Sequence, residues 1–189
     1  MKPFMTIPNQ LTLLRILLIP VFIVIFYLPY EQSNIFACGI FILAAVTDIL
    51  DGYYARKLNQ VSSLGVFLDP VADKLMVCAA LILLTDYYHT WFITIPSIII
   101  ISREILVSAL REWMGEIGKR ANISVSWIGK SKTFMQMISI LFLLFQQSLF
   151  IFSSKDIYTI GLVLLFSATI LTLWSGFNYL IAGLKTFDS

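Results

Sequence analysis

The run IYTIGLVLLFSATILTLWSGFNYLIAGL, residues 157–184, contains no charged side chain. It is longer than the roughly 20 residues that cross a bilayer as a helix. A second charge-free run, residues 134–152, lies just before it. A helix on the surface of a soluble protein carries a polar face, so both runs predict transmembrane helices. The two runs place the chain among the all-α integral membrane proteins.

Four further apolar segments precede these two, and each is interrupted by charged residues. The segments cover residues 11–30, 35–54, 66–85 and 91–110. An isolated charge in hydrocarbon costs several kcal/mol, so these side chains should face inward and meet one another. We therefore predict one domain, residues 1–189, with six transmembrane helices, the last two serving as scaffold. The interrupting residues are Arg15, Asp48, Asp51, Asp69, Asp73, Lys74, Arg103 and Glu104.

The composition of the whole chain agrees with this class. Hydrophobic residues make up 59% of the 189 residues, charged residues make up 13%, and the mean hydropathy is +0.88. In soluble domains about a quarter of all residues are charged, so a soluble enzyme is excluded. The net charge of +2 is too small to support binding to a phosphate backbone, so no nucleic-acid partner is expected.

The positions of lysine and arginine predict the orientation of the helices. Of the 13 such residues, all but Lys155 fall on one side of the predicted bundle. Because cationic loops stay on the cytoplasmic side, both termini should face the cytoplasm. The interrupting charges of the first four helices then share one depth near the cytoplasmic face. We expect a multi-pass protein of the cytoplasmic membrane with its active site on that face.

Four aspartates in the second and third helices form the most informative pattern. Asp48 and Asp51 are three residues apart and share a helix face, and Asp69 and Asp73 are four apart and do the same. Antiparallel neighbouring helices would bring the two pairs together. Oxygen ligands without histidine or cysteine favour hard divalent ions, Mg²⁺ or Mn²⁺. Four carboxylates suit two ions, and two ions suit phosphate chemistry.

Small and basic residues follow the first pair of acids. Gly52 and Ala55 leave the helix face bare, which allows a large ligand to approach the backbone closely. Arg56 offers a planar pair of donors for a phosphate oxygen.

These residues fit the pattern D-x2-D-G-x2-A-R-x8-G-x3-D-x3-D at every fixed position. The pattern resembles the signature of the CDP-alcohol phosphatidyltransferases. The resemblance implies transfer of a phosphatidyl group from CDP-diacylglycerol to an alcohol with release of CMP, in a homodimer embedded in membrane lipid. It also implies two divalent cations bound by four aspartates, the last also acting as general base, and a CDP pocket lined by the small and basic residues. The metal ligands would be Asp48, Asp51, Asp69 and Asp73, the base Asp73, and the pocket Gly52, Ala55 and Arg56.

Three other stretches resemble bacterial members of this family that use sn-glycerol 3-phosphate as acceptor. They are IPNQLTLLR at 7–15, SRE at 102–104 and GKSKT at 129–133. In the first, Asn9 and Thr12 are candidates to bind the CDP headgroup. The polar segment 111–132 is predicted to be a cytoplasmic loop. Candidates to bind the acceptor phosphate are Arg103, Arg111, Lys130 and Lys132.

The sequence leaves other functions open. A related enzyme could use another acceptor, as in cardiolipin, phosphatidylserine or phosphatidylinositol-phosphate synthesis. A divalent-cation transporter could also place aspartates in its helices, although such proteins often contain repeated halves and this chain has no internal repeat. A structural membrane subunit would have no use for four converging acids.

Overall fold

A computed structural model describes residues 6–57, 63–116, 127–148 and 151–187. The regular elements of these segments are six α-helices, which confirms the all-helical class. Their bounds are α1 (Ile7–Tyr27), α2 (Ser33–Lys57), α3 (Ser63–Tyr88), α4 (Trp91–Glu116), α5 (Trp127–Phe145) and α6 (Ser154–Phe187).

The fourth and fifth helices differ from the prediction at their ends. Helix α4 continues to Glu116 and α5 begins at Trp127, so Arg111 lies within a helix and the predicted loop 111–132 is wrong at both ends. Helix α5 begins at Trp127 and ends at Phe145, although the charge-free run extends to residue 152. Gln146 adopts a left-handed conformation, with φ 57°, and this conformation cannot continue a right-handed helix.

A reciprocal cap fixes the start of α6. The Ser153 backbone N–H donates to Asp156 Oδ2 at 2.9 Å, and the Asp156 N–H donates to Ser153 Oγ at 3.3 Å. Each side chain satisfies an N–H group that the first helical turn leaves without a partner.

The chain divides into two compact units. The first unit contains α1, α2 and α3 as far as Leu84, together with Leu144–Gln146. The second contains the end of α3 from Thr85, α4, α5 as far as Leu143, and α6.

In the first unit, α1 packs against α2 along an aromatic and alanine seam. The rings of Phe22 and Phe41 lie 6.2 Å apart between centroids, and both side chains are buried. Ala37 and Ala44 are buried on the same face of α2, where their small side chains let the two helices approach closely.

In the second unit, α4 packs against α6, and α5 also contacts α6. Ile93, Ile100 and Val107 are buried at seven-residue spacing along α4. A side chain at Gly161 of α6 would place its Cβ 2.9 Å from Leu143 Cγ, so glycine is needed for the close contact with α5.

The outer surface of the helices is apolar. Leu17, Ile105 and Trp174 expose 65%, 64% and 63% of their surface, which suits lipid and not water. Within the described residues, four helices are long and apolar enough to cross a membrane, as a multi-pass membrane protein requires. These stretches are Asn9–Tyr27, Ser33–Tyr54, Trp91–Gly115 and Ser154–Ile181. Six spans and cytoplasmic termini stay predictions.

Candidate active site

Helix α1 carries a polar stripe within its apolar sequence. Asn9, Thr12 and Arg15 follow one another at three-residue spacing and expose 2%, 0% and 1% of their surface. Thr6 caps the helix by accepting the Asn9 N–H through its side chain, at 3.4 Å. Because burial of polar side chains is costly without partners, the stripe must meet polar groups on neighbouring helices.

Arg15 meets the first pair of aspartates. Its Nη1 lies 2.7 Å from Asp48 Oδ1, and its Nη2 pairs with Asp51 Oδ2. Asp51 is buried, whereas Asp48 is partly exposed. Removal of one partner from a buried pair costs about 3–5 kcal/mol, because the other charge is left uncompensated. The predicted meeting of charges is confirmed here, and Arg15 is the cation that joins α1 to α2.

Asp69 of α3 joins the same cluster. Thr12 Oγ1 donates a hydrogen bond to Asp69 Oδ1 at 2.5 Å. The negative charges of Asp48 and Asp69 both lie close enough to Asp51 to repel its charge. Asp73 lies one turn after Asp69 on α3 and is partly buried. Asp48 and Asp51 of α2 therefore pair with one buried guanidinium, and Asp69 of α3 lies near Asp51. We call Arg15, Asp48, Asp51 and Asp69 the acid cluster.

The donor atoms of the acid cluster suit a hard divalent cation. They are the carboxylate oxygens of its three aspartates, ligands that Mg²⁺ and Mn²⁺ prefer. Among the residues that the structure describes, no three acidic, histidine or cysteine side chains are grouped to hold an ion as they stand. The guanidinium of Arg15 supplies positive charge at the oxygens of Asp48 and Asp51.

A second cluster of charges lies in the other unit. Lys132 Nζ donates to Glu104 Oε1 at 2.5 Å, and Arg103 Nη1 donates to the same oxygen at 3.0 Å. Arg103 Nη2 also donates to Ser175 Oγ of α6 at 3.1 Å. A Cβ at Gly176 would lie 3.1 Å from Arg103 Cγ, so the glycine leaves the space in which this arginine lies.

Tyr179 links the second cluster to Arg111. Arg111 Nη2 donates to the Tyr179 hydroxyl at 3.3 Å. The guanidinium carbons of Arg111 and Arg103 lie 5.6 Å and 5.9 Å from the centroid of the Tyr179 ring, within range of a cation–π interaction. The structure thus brings together three of the four residues predicted to bind the acceptor phosphate. We call Arg103, Glu104, Arg111, Lys132 and Tyr179 the basic cluster.

Sequence reasoning missed several members of the second unit. Glu104 was recognised as a charge in an apolar helix but was given no partner, and Ser175 and Tyr179 were not identified. The prediction that the last two helices serve as scaffold is wrong for α6, because α6 supplies two partners to arginines. The four-residue spacing of Ser175 and Tyr179 on one face of α6 was the available signal.

Comparison with known proteins gives the family. The sequence profile of the CDP-alcohol phosphatidyltransferases matches residues 5–174. The chain belongs to the CDP-alcohol phosphatidyltransferase family. It is 49% identical over 176 residues to the CDP-diacylglycerol–glycerol-3-phosphate 3-phosphatidyltransferase of Shigella flexneri serotype 5b and to that of Escherichia coli K12. The protein of the same name in Salmonella typhimurium is 48% identical. Each match covers 93% of this chain and 93% of the relative.

As a phosphatidyltransferase, the chain is an enzyme, and its signature can be located on the structure. A Cβ at Gly52 would meet no heavy atom of the described residues within 4 Å, so packing inside the protein does not require this glycine. The space beside Gly52 is consistent with the predicted ligand pocket. The side chains of Ala55, Arg56 and Lys130 lie outside the described part of the chain.

Proposed function

We propose that this chain transfers the phosphatidyl group of CDP-diacylglycerol to sn-glycerol 3-phosphate and releases CMP. The observation that carries the proposal is 49% identity, over 93% of both chains, to enzymes named for that activity. The acid cluster and the basic cluster support it, because a pyrophosphate donor needs cations and a phosphorylated acceptor needs positive side chains.

The proposed cofactors are two divalent cations, Mg²⁺ or Mn²⁺. When bound, they neutralise charge on the pyrophosphate and on the departing phosphate. The residues that would hold them are Asp48, Asp51, Asp69 and Asp73. The residues that would bind the CDP group are Asn9, Thr12, Gly52, Ala55 and Arg56.

Asp73 is the proposed general base. It accepts the proton of the primary hydroxyl of glycerol 3-phosphate, and the resulting oxygen attacks the phosphorus that bears diacylglycerol. The bond from this phosphorus to the CMP oxygen breaks as the new bond forms, so CMP leaves with the bonding electrons. None of the fixed residues of the signature is a serine, cysteine or histidine, so we propose a direct displacement without a covalent enzyme intermediate.

The basic cluster is the proposed site for the acceptor phosphate, together with Lys130. Arg103, Arg111 and Lys132 bring three positive charges, and Arg103 and Lys132 pair with one carboxylate, Glu104. The excess positive charge favours a dianionic phosphate over an uncharged alcohol. This charge balance supports glycerol 3-phosphate as acceptor.

The proposed topology has six transmembrane helices, both termini and the active site on the cytoplasmic side, and a homodimer in the lipid bilayer. A cysteine in place of the exposed Lys155 tests it, in a chain with Cys38 and Cys78 changed to alanine. In intact cells this cysteine should react with a membrane-impermeant maleimide. Reaction only after the membrane is opened would contradict the topology.

The function is tested by CMP release from CDP-diacylglycerol by the purified chain in detergent with Mg²⁺. We expect rapid release with glycerol 3-phosphate and little with serine, inositol phosphate or phosphatidylglycerol. The matched control is Asp69→Asn, which has the same shape but lacks the carboxylate charge. Preference for another acceptor, or equal release by the Asp69→Asn variant, would contradict the proposal.

A further inference from the structure

Arg15 occupies an unusual position among the charged residues of the first unit. It exposes 1% of its surface and contacts both Asp48 and Asp51. Its Nε is buried and has no hydrogen-bond partner among the described residues. A buried guanidinium cannot lose its charge, so the two carboxylates must stay near it or the arginine must move.

The oxygens that Arg15 contacts belong to two of the proposed metal ligands. A guanidinium and a divalent cation cannot occupy the same face of the same carboxylate, because their positive charges repel and their atoms overlap. In the arrangement that the structure describes, no group of ligands is ready to hold an ion. A metal that binds Asp48 Oδ1 and Asp51 Oδ2 therefore requires that the guanidinium give up at least part of its contacts.

We propose that Arg15 is a positioning residue that acts as a resident counter-cation for the metal ligands. It holds Asp48 and Asp51 together when no metal is bound, and it competes with the divalent cations for their oxygens. The proposal rests on the proposed metal site. Arg15 thereby stabilises the metal-free fold and lowers the affinity for metal.

The competition has a measurable consequence for metal binding. Without Arg15, the acids in the metal-free protein repel one another without compensation, and metal binding no longer displaces a cation. Arg15→Met should therefore bind Mn²⁺ at least about tenfold more tightly than the unchanged protein does. The same change should make the folded state depend on divalent cations, because metal stabilises only the folded chain.

The experiment measures Mn²⁺ binding by the electron paramagnetic resonance signal of free Mn²⁺, with the full chain in detergent. Thermal unfolding is followed in parallel with EDTA and with Mn²⁺. The matched control is Arg111→Met, which removes the same charge from the basic cluster. We expect tighter Mn²⁺ binding and a lower unfolding midpoint in EDTA for Arg15→Met, and unchanged Mn²⁺ binding for Arg111→Met.

Arg15→Lys keeps the charge without the planar fork and provides a second variant if Arg15→Met does not fold. It should bind Mn²⁺ more tightly than the unchanged protein, by a smaller factor. Folding of Arg15→Met only in the presence of Mn²⁺ also supports the proposal. Equal or weaker Mn²⁺ binding by the Arg15 variants would overturn it.

The same titrations separate this proposal from the metal site itself. If Asp51→Asn and Asp69→Asn lose Mn²⁺ binding while the Arg15 variants bind like the unchanged protein, only the counter-cation proposal fails. If the unchanged protein binds no Mn²⁺, or the aspartate variants bind it normally, the proposed metal site is wrong and the proposed role of Arg15 is wrong with it.

Discussion

The acid cluster and the basic cluster balance their charges in opposite ways. In the acid cluster, three carboxylates lie close together and two of them pair with the one buried arginine. The basic cluster has three cations and one carboxylate, which pairs with Arg103 and Lys132, while Arg111 is exposed. Each cluster therefore keeps an excess charge. We therefore expect the acid cluster of the first unit to bind cations and the basic cluster of the second unit to bind an anion.

The two clusters also differ in how their members are distributed along the chain. The acids and their arginine come from neighbouring helices, between residues 15 and 69. The basic cluster is assembled from α4, α5 and α6, with α6 supplying a tyrosine as partner. A change in the acid cluster should abolish turnover, whereas a change in the basic cluster should weaken the binding of one substrate.

The largest effect is expected when a metal ligand is removed. Asp69→Ala should lose nearly all turnover, because several kcal/mol of charge stabilisation disappear with the metal. A loss of about a thousandfold or more in kcat corresponds to such an energy. Asp86→Ala, at the exposed end of α3, is the control and should retain activity. Near-normal CMP release by Asp69→Ala would contradict the expectation that changes in the acid cluster abolish turnover.

The next largest effect is expected for the proposed general base. Asp73→Asn should bind CDP-diacylglycerol with nearly normal affinity but lower kcat by about a hundredfold to ten-thousandfold, the usual contribution of a base. Binding of the donor is measured by equilibrium titration and turnover by CMP release. A change confined to donor binding would contradict the assignment of Asp73 as the general base.

Arg111→Ala should discriminate between the two substrates. Loss of one charged contact to phosphate is expected to raise KM for glycerol 3-phosphate about tenfold and to leave KM for CDP-diacylglycerol nearly unchanged. Lys155→Ala removes an exposed cation outside the basic cluster and should change neither constant. Equal increases in both KM values would contradict the assignment of Arg111 to the acceptor.

The smallest effect is expected at Tyr179. Tyr179→Phe removes the hydroxyl that accepts from Arg111 but keeps the ring, and should raise acceptor KM about twofold to threefold. Tyr179→Leu also removes the cation–π contacts and should raise it about fivefold or more. Steady-state kinetics at saturating donor distinguish the two variants. An unchanged acceptor KM in Tyr179→Leu would show that the tyrosine does not position the arginines.

The sequence predicted the six helices and the meeting of charges on α1 and α2. It did not predict where the helices end or which residues pair with Arg103 and Arg111. Long apolar runs identify helices, and the spacing of Asp48 and Asp51 fixes the face they share. Hydropathy does not locate helix ends, because apolar residues also continue past a turn, as residues 151 and 152 do after Gln146. The partners of Arg103 and Arg111 depend on the rotation of α4 and α6 about their axes, which a nearly uniform apolar sequence does not specify.

The central claim is that the four aspartates hold divalent cations. Its most direct test is the anomalous scattering of manganese in crystals grown with Mn²⁺ and CDP-diacylglycerol. We expect anomalous peaks at about 2.0–2.3 Å from oxygens of Asp48, Asp51, Asp69 and Asp73. Peaks elsewhere, with Asp48 and Asp51 still paired to Arg15 and no manganese beside them, would contradict this claim.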